Sequence, residues 1–319
     1  RSRRRQFIAG VASVGLSVLT RDAFLLRPAV WETWLRRGES QNVIVRIPPR
    51  GKTRRRVVFL AHLDSGVHRL TADPQLVGQL PRTLGGTTLL ALVGGVLTLL
   101  AGRSQRWRAL RTLSGGLALG GAALAIIDEM GPDVQGANGN ASGVAVLLGL
   151  AEALRRRPLE NTEVVLAFTG AATAVGTGAD VLATQYAREW QDALWVVINS
   201  VGAGELCWAT RHGISPYAYY GPHPDAVHVM ERVADARPDL GLMGKTMLSL
   251  DEVAILRDRD LRAVALMGYD RVTGLIPNWR QHGDTIHAID PATLERAAHA
   301  AWTAACVVDQ ATNWPPTGA

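Results

Sequence analysis

From Thr83 to Gly102 the chain runs for twenty residues without a charged side chain (TLGGTTLLALVGGVLTLLAG). A helix rises about 1.5 Å per residue, so this run covers about 30 Å, the depth of bilayer hydrocarbon. A helix that is apolar all round must be buried in protein or face lipid. A basic stretch follows, Arg103 to Arg111 (RSQRWRALR), and then a second uncharged run from Thr112 to Ile127, shorter and richer in glycine. The two runs predict a helical hairpin, with Gly116 and Gly120 spaced as a small-residue packing face. An arginine-rich turn carrying Trp107 suits the interfacial end of an inserted hairpin, so we read it as membrane-spanning; the alternative is a pair of buried core helices.

A third apolar stretch, Phe7 to Leu19, lies behind RSRRRQ, and the run Arg4-Arg5-Gln6-Phe7-Ile8 resembles a twin-arginine export signal. Residues 1–40 are thus read as a signal or anchor, or else as an amphipathic or buried helix. The positive-inside rule puts Arg1 to Arg5 and the Arg103 to Arg111 loop in the cytoplasm. The expected localisation is the membrane, with the bilayer as a partner and the remaining domain on the extracytoplasmic side.

Composition over the whole chain is that of a globular protein tilted apolar, with 47% hydrophobic and 19% charged residues, which argues against disorder. The net charge of +6 comes almost wholly from arginine, since Lys52 and Lys245 are the lysines. No nucleic-acid partner is expected, because the arginine clusters lack interleaved stacking aromatics and two of them flank apolar segments. Cys207 and Cys306 have no CxxC spacing and no histidine array, which excludes a zinc knuckle; buried thiols are expected, or a disulfide if the domain is exported.

Outside the hairpin, strand and helix patterns alternate. Asn42 to Ile47 and Val57 to Ala61 read as adjacent strands joined through a Pro-Pro-Arg-Gly turn. Ser142 to Arg155 reads as a helix, Val164 to Phe168 and Ala193 to Asn199 as strands, Val227 to Ala236 as a helix, Ala263 to Met267 as a strand, and Pro291 to Val308 as a closing helix. The fold class is therefore α/β, with a mostly parallel central sheet covered by helices on both faces and an inserted apolar helical hairpin. The expected organisation is an N-terminal segment 1–40, an α/β domain from 41–82 and 128–319, and the hairpin 83–127 between its two parts.

In such sheets ligands sit where strands end. His62 follows the apolar run Val57 to Leu60, and Asp64 stands two residues on, within Ala61-His62-Leu63-Asp64-Ser65. Next come Gly136-Ala137-Asn138-Gly139-Asn140-Ala141-Ser142-Gly143, then Phe168-Thr169-Gly170-Ala171, Ile198-Asn199-Ser200, and Asn278-Trp279 through Asp284-Thr285. That order of motifs resembles the zinc-dependent aminopeptidases of peptidase clan MH, which include leucyl aminopeptidases, aminopeptidase S and glutamate carboxypeptidase relatives. The resemblance covers roughly Gln41 to the C-terminus.

The resemblance implies two zinc ions, a carboxylate bridging them, and a glutamate acting as general base on a metal-bound water. It assigns the first histidine ligand to His62 and the orienting aspartate to Asp64. The bridging aspartate falls on Gly139, the base on Ala172, and the remaining ligands on Thr173, Val201 and Arg280. Of the ligand positions only His62 keeps a metal-binding side chain. Loss of even an outer partner of a metal can cost about 10- to 100-fold in affinity or activity, so loss of direct ligands is expected to abolish the site. Arg280 adds a permanent charge that would repel zinc and pair with Asp64 or an anionic ligand. His282 is the candidate substitute ligand, while Asp284 and His287 read as solvated or capping residues.

The expectation is a catalytically inactive domain with no cofactor, lined at its pocket by Asn138, Asn140 and Arg280 and able to take a peptide or small anion. The alternative is an active metallopeptidase holding zinc through His62, His282 and an acid.

Overall fold

A computed structural model describes residues 2–26, 38–100, 107–173 and 175–315. Part of the N-terminal segment and the residues 103–106 of the basic loop lie outside the described residues. The chain begins with α1 (Ser2–Phe24), followed by β1 (Val43–Ile47), β2 (Arg55–His62) and a short turn of helix, α2 (Pro74–Val77). The long helices α3 (Leu80–Leu100) and α4 (Arg108–Glu129) come next. Then follow α5 (Ser142–Arg156), β3 (Thr162–Thr169), α6 (Thr177–Tyr186), β4 (Leu194–Ile198), β5 (Glu205–Ser215) and β6 (Ala218–Tyr220). The chain closes with α7 (Pro224–Ala236), β7 (Met243–Thr246), α8 (Val253–Asp258), β8 (Arg262–Tyr269) and α9 (Pro291–Gln310).

The sheet runs β1-β3-β2-β4-β8-β5-β6, with β7 on β5. Its centre is parallel, β3 with β2, β2 with β4 and β4 with β8, whereas β1 and β5 are antiparallel to their neighbours β3 and β8. The expected adjacency of β1 and β2 is corrected: β3 lies between them. The linking loop pairs with the approach to β3 instead of turning back, through Arg50 N–H to the Leu159 carbonyl at 2.8 Å and Arg54 N–H to the Asn161 carbonyl at 2.9 Å.

Period-two alternation places the core on both sides of the sheet. Val57, Phe59 and Ala61 pack toward α5, α7 and α9, while Val58 and Leu60 pack toward α6 and α8. Cys207 belongs to the second face and Cys306 packs against the first; both are free thiols, so the disulfide expectation is corrected.

Leu80–Leu100 and Ala109–Glu129 are long and apolar enough to cross a membrane, by length and composition. They extend past the uncharged runs, since hydrogen bonding carries the helix through Pro81 at one end and Asp128 at the other. α4 leaves Leu113, Leu119, Ile126 and Ile127 exposed, which a soluble core helix does not do. Gly116 and Gly120 face open space, so the small-residue contact lies elsewhere: a Cβ on Gly94 of α3 would sit 1.8 Å from Ser114 Oγ of α4. α1 lies antiparallel on α3, with Ser13 Oγ donating to the Ala91 carbonyl at 2.8 Å and Gly10 against Leu99. The start of α1, the end of α3 and the start of α4 therefore share one end of the bundle, and the α/β domain is attached at the other.

Candidate functional site

Three parallel strands end along one edge of the sheet. β2 closes at His62, opposite Thr169 of β3; β3 runs into Gly170-Ala171-Ala172-Thr173, and β4 into Asn199-Ser200-Val201. The glycine-rich stretch folds as one π-helical turn, Ala137–Ala141, opening α5, a geometry concentrated at functional sites. Gly143 is required by close approach, because a Cβ there would lie 2.3 Å from the Ile198 carbonyl oxygen. Ala171, Ser200, Asn278 and Arg280 adopt positive φ of 53°, 55°, 57° and 54°. Each costs about 1–3 kcal/mol that surrounding contacts must offset, so the loop frame is tightly held.

His62 Nδ1 lies 2.9 Å from the Asp64 carbonyl oxygen, which leaves Nε2 as the ring nitrogen available to the cavity. The Asp64 carboxylate is committed to the loop after β3: Oδ1 accepts the Ala172 N–H at 2.9 Å, and Oδ2 accepts the Thr173 N–H at 2.7 Å and its hydroxyl at 2.6 Å. Burial opposes the charge, yet these bonds, led by Thr173, hold the carboxyl below its usual range. Asp64 thus fastens the backbone at the very positions, Ala172 and Thr173, that the resemblance assigns to the base and a ligand.

Gly139 meets a second committed carboxylate. Asp284 accepts the Asn138 N–H at 2.5 Å and the Gly139 N–H at 3.1 Å, and a Cβ on Gly139 would lie 3.0 Å from its Oδ2. The capping expectation for Asp284 therefore describes its bonds, but it is buried, not solvated. Burial pushes its carboxyl up despite the two N–H donors.

Several expected site residues lie elsewhere. Asn138 is buried and spends both ends of its amide on the Pro277 carbonyl and the Gly202 N–H, so it braces loops and does not line the cavity. Val201 is fully buried, its N–H donating to Ser142 Oγ. His282 is exposed and stacks on His68 with ring centroids 4.1 Å apart, away from the cavity, so it is no substitute for Arg280. Asn140 does line the cavity, tied by its amide N–H to the Leu63 carbonyl.

Arg280 projects its guanidinium over Gly66, which has no side chain to block it. Among the described residues no carboxylate comes within ion-pair distance, and burial followed by repulsion from Arg69 pushes its pKa down to about 10. The expected pairing with Asp64 is not formed, because Asp64 faces the loop after β3.

Sequence reasoning missed Glu252, a cavity residue only 2% exposed with an unpaired Oε1, whose pKa is raised first by burial. The signal was an acidic pair, Asp251-Glu252, inside an otherwise apolar run. Asp251 itself turns away into a buried pair with His212, Nδ1 to Oδ2 at 2.6 Å.

These residues form one end of a cavity of about 770 Å³. Its other end is lined by the long helices, including Leu16 of α1, Leu84 and Ala91 of α3, and Leu124 of α4. A zinc site needs at least three convergent protein donors. Among the described residues no group of three or more His, Cys, Asp or Glu converges in that way. His62 offers one nitrogen, Asp64 and Asp284 have turned their oxygens to N–H groups, and Arg280 brings a positive charge, so the donor set does not fit a zinc ion.

The α/β sandwich with its strand-end site is the fold of zinc aminopeptidase-like proteins. The structure resembles a leucine aminopeptidase precursor from Bacteroides thetaiotaomicron with a TM-score of 0.53 and 14% identity, over 86% of this chain and 77% of that one. A glutaminyl cyclase from the same organism matches with a TM-score of 0.53 and 14% identity, over 85% and 77%. A zinc aminopeptidase from Bacillus subtilis matches with a TM-score of 0.52 and 16% identity, over 84% of this chain and 49% of that chain. No curated protein sequence matches. Residues 123–305, more than half of the chain, match the model of peptidase family M28, and the chain belongs to that family.

Proposed function

We propose that this chain is a membrane-anchored M28 domain that binds a ligand at the strand-end site without hydrolysing peptide bonds. The observation that carries this reading is the fate of the acids: Gly139, Ala172 and Thr173 stand where the family resemblance needs carboxylates, and Asp64 and Asp284 bond to the backbone at those same positions. A general base has to reach a reacting proton. Asp64 is occupied by the donors of Ala172 and Thr173, and the position of the base itself is Ala172. The exposed apolar surfaces of α3 and α4 support anchoring in a bilayer. The start of α1, which carries Arg3 to Arg5, shares one end of the bundle with the start of α4, which carries Arg108 and Arg111, and the positive-inside rule then supports an extracytoplasmic α/β domain.

The test is hydrolysis of aminoacyl p-nitroanilides by the full chain in neutral detergent, with and without chelator, beside a His62→Ala variant. The expected result is no turnover above the rate without enzyme, unchanged by chelator or by the substitution. Chelator-sensitive turnover that disappears in His62→Ala would establish a working metallopeptidase.

A further inference from the structure

The cavity joins two unlike environments, and that junction defines its occupant. At the domain end stand Arg280, His62 and the unpaired Glu252 oxygen; at the other end the wall is made by α1, α3 and α4. Ala91 lies eleven residues into α3 from Leu80, so the apolar part runs about 16 Å along helices of membrane-crossing length. A volume of about 770 Å³ falls within the roughly 300–1,000 Å³ of pockets that take one small molecule.

Charge selects the head group. Of the acids around the cavity, Asp64 and Asp284 are engaged with backbone N–H groups, Asp128 with Thr71, Glu129 with Arg69 and Asp251 with His212, and Glu252 alone keeps an unpaired oxygen. Arg280 is the cavity cation that none of them reaches within ion-pair distance, and the charges acting on it include both Asp64 of the strand-end site and Glu129 at the end of α4. A buried guanidinium gains most from a carboxylate or phosphate that it can hold through two N–H donors. Glu252, almost wholly buried with Oε1 unpaired, leaves a further hydrogen-bonding position in the same cavity.

We infer that the cavity binds a single-chain anionic amphiphile, its carboxylate or phosphate head on Arg280 and its hydrocarbon tail between α1, α3 and α4. This rests on the non-hydrolytic reading of the site and names the class of ligand it holds.

The experiment is displacement of a fluorescent fatty acid from the full chain in neutral detergent. The competitors are palmitate, hexadecyl phosphate, hexadecyltrimethylammonium, a two-chain phosphatidylglycerol and inorganic phosphate. Palmitate and hexadecyl phosphate should compete, and their ratio tells which head is preferred. Arg280→Gln should weaken both by about tenfold or more, the effect of removing a charged hydrogen-bond partner. Its fold should persist, because that guanidinium makes no ion pair to lose. Thr87→Trp, which fills the apolar end, should weaken the long-chain anions and leave the circular dichroism unchanged. Equal competition by the cationic amphiphile, or no effect of Arg280→Gln, would overturn the head-group assignment. Equal competition by inorganic phosphate would overturn the tail site, and preference for the two-chain lipid would overturn the single-chain assignment. Hydrolysis of an aminoacyl p-nitroanilide by the same samples separates the two claims: amphiphile binding without turnover supports both, chelator-sensitive turnover refutes the non-hydrolytic reading, and absence of binding refutes the amphiphile alone.

Discussion

Asp64→Ala is expected to lower the unfolding free energy of the α/β domain by about 2–4 kcal/mol, an effect on stability in a residue that the family resemblance places in the active site. The carboxylate accepts three hydrogen bonds from Ala172 and Thr173, and bonds to a charged acceptor are each worth about 1.5–3 kcal/mol, with incomplete additivity. Removing it leaves two backbone N–H groups unpaired beside Ala171, whose φ is already positive at 53°. The sign of the pH dependence follows from the direction of the shift. The folded-state carboxyl titrates below its unfolded value, so its contribution is present above the unfolded pKa near 4 and is lost as pH falls through the folded value. Urea unfolding at neutral pH and in acid checks this: the gap between wild type and Asp64→Ala should be full at neutral pH and should shrink in acid.

Asp251→Ala should cost more, about 3–5 kcal/mol, since it breaks a pair in which both side chains are fully buried. His212 Nδ1 would lose its 2.6 Å partner while its Nε2 is already unpaired, and the Val253 N–H would lose the Asp251 oxygen that it reaches at 3.1 Å. Asp251→Asn keeps an acceptor there and should cost markedly less. Tryptophan fluorescence of the buried Trp190 and Trp195 reports both transitions. Equal stability of Asp251→Ala and wild type would show that the pair is not a structural tie between β5 and the loop before α8.

The parallel centre of the sheet was legible because its strands are buried on both faces and read as unbroken apolar runs, as in Val57 to Leu60 and Ala263 to Met267. β5 was not legible. Thr210, Arg211, His212 and Gly213 interrupt its pattern, and what makes them acceptable in a strand is tertiary: Asp251 for His212, and the Tyr219 ring 3.9 Å from the Arg211 guanidinium carbon. The position of β1 beyond β3 was hidden for a related reason, since the loop that carries the chain there bonds to residues more than a hundred positions away.

At the site, motif spacing located His62, Asp64, Gly139, Ala172 and Arg280 on one sheet edge, because strand ends in a parallel sheet converge there whatever side chains they carry. What each side chain bonds was not legible. Asn138 and Val201 turned out to brace loops, and Asp284 lies against Gly139, a contact between segments separated by a whole domain length. The apolar half of the cavity depends on α1 docking against α3, through contacts such as Ser13 with Ala91, which no local pattern encodes.

The central claim is that the side chains around His62 no longer make a zinc site, and metal content tests it most directly. The full chain, purified in neutral detergent without chelators, incubated with excess zinc and desalted, is measured by inductively coupled plasma mass spectrometry beside His62→Ala. The account predicts zinc far below one ion per chain and no difference between the two proteins. Near-stoichiometric zinc that is lost in His62→Ala would contradict it.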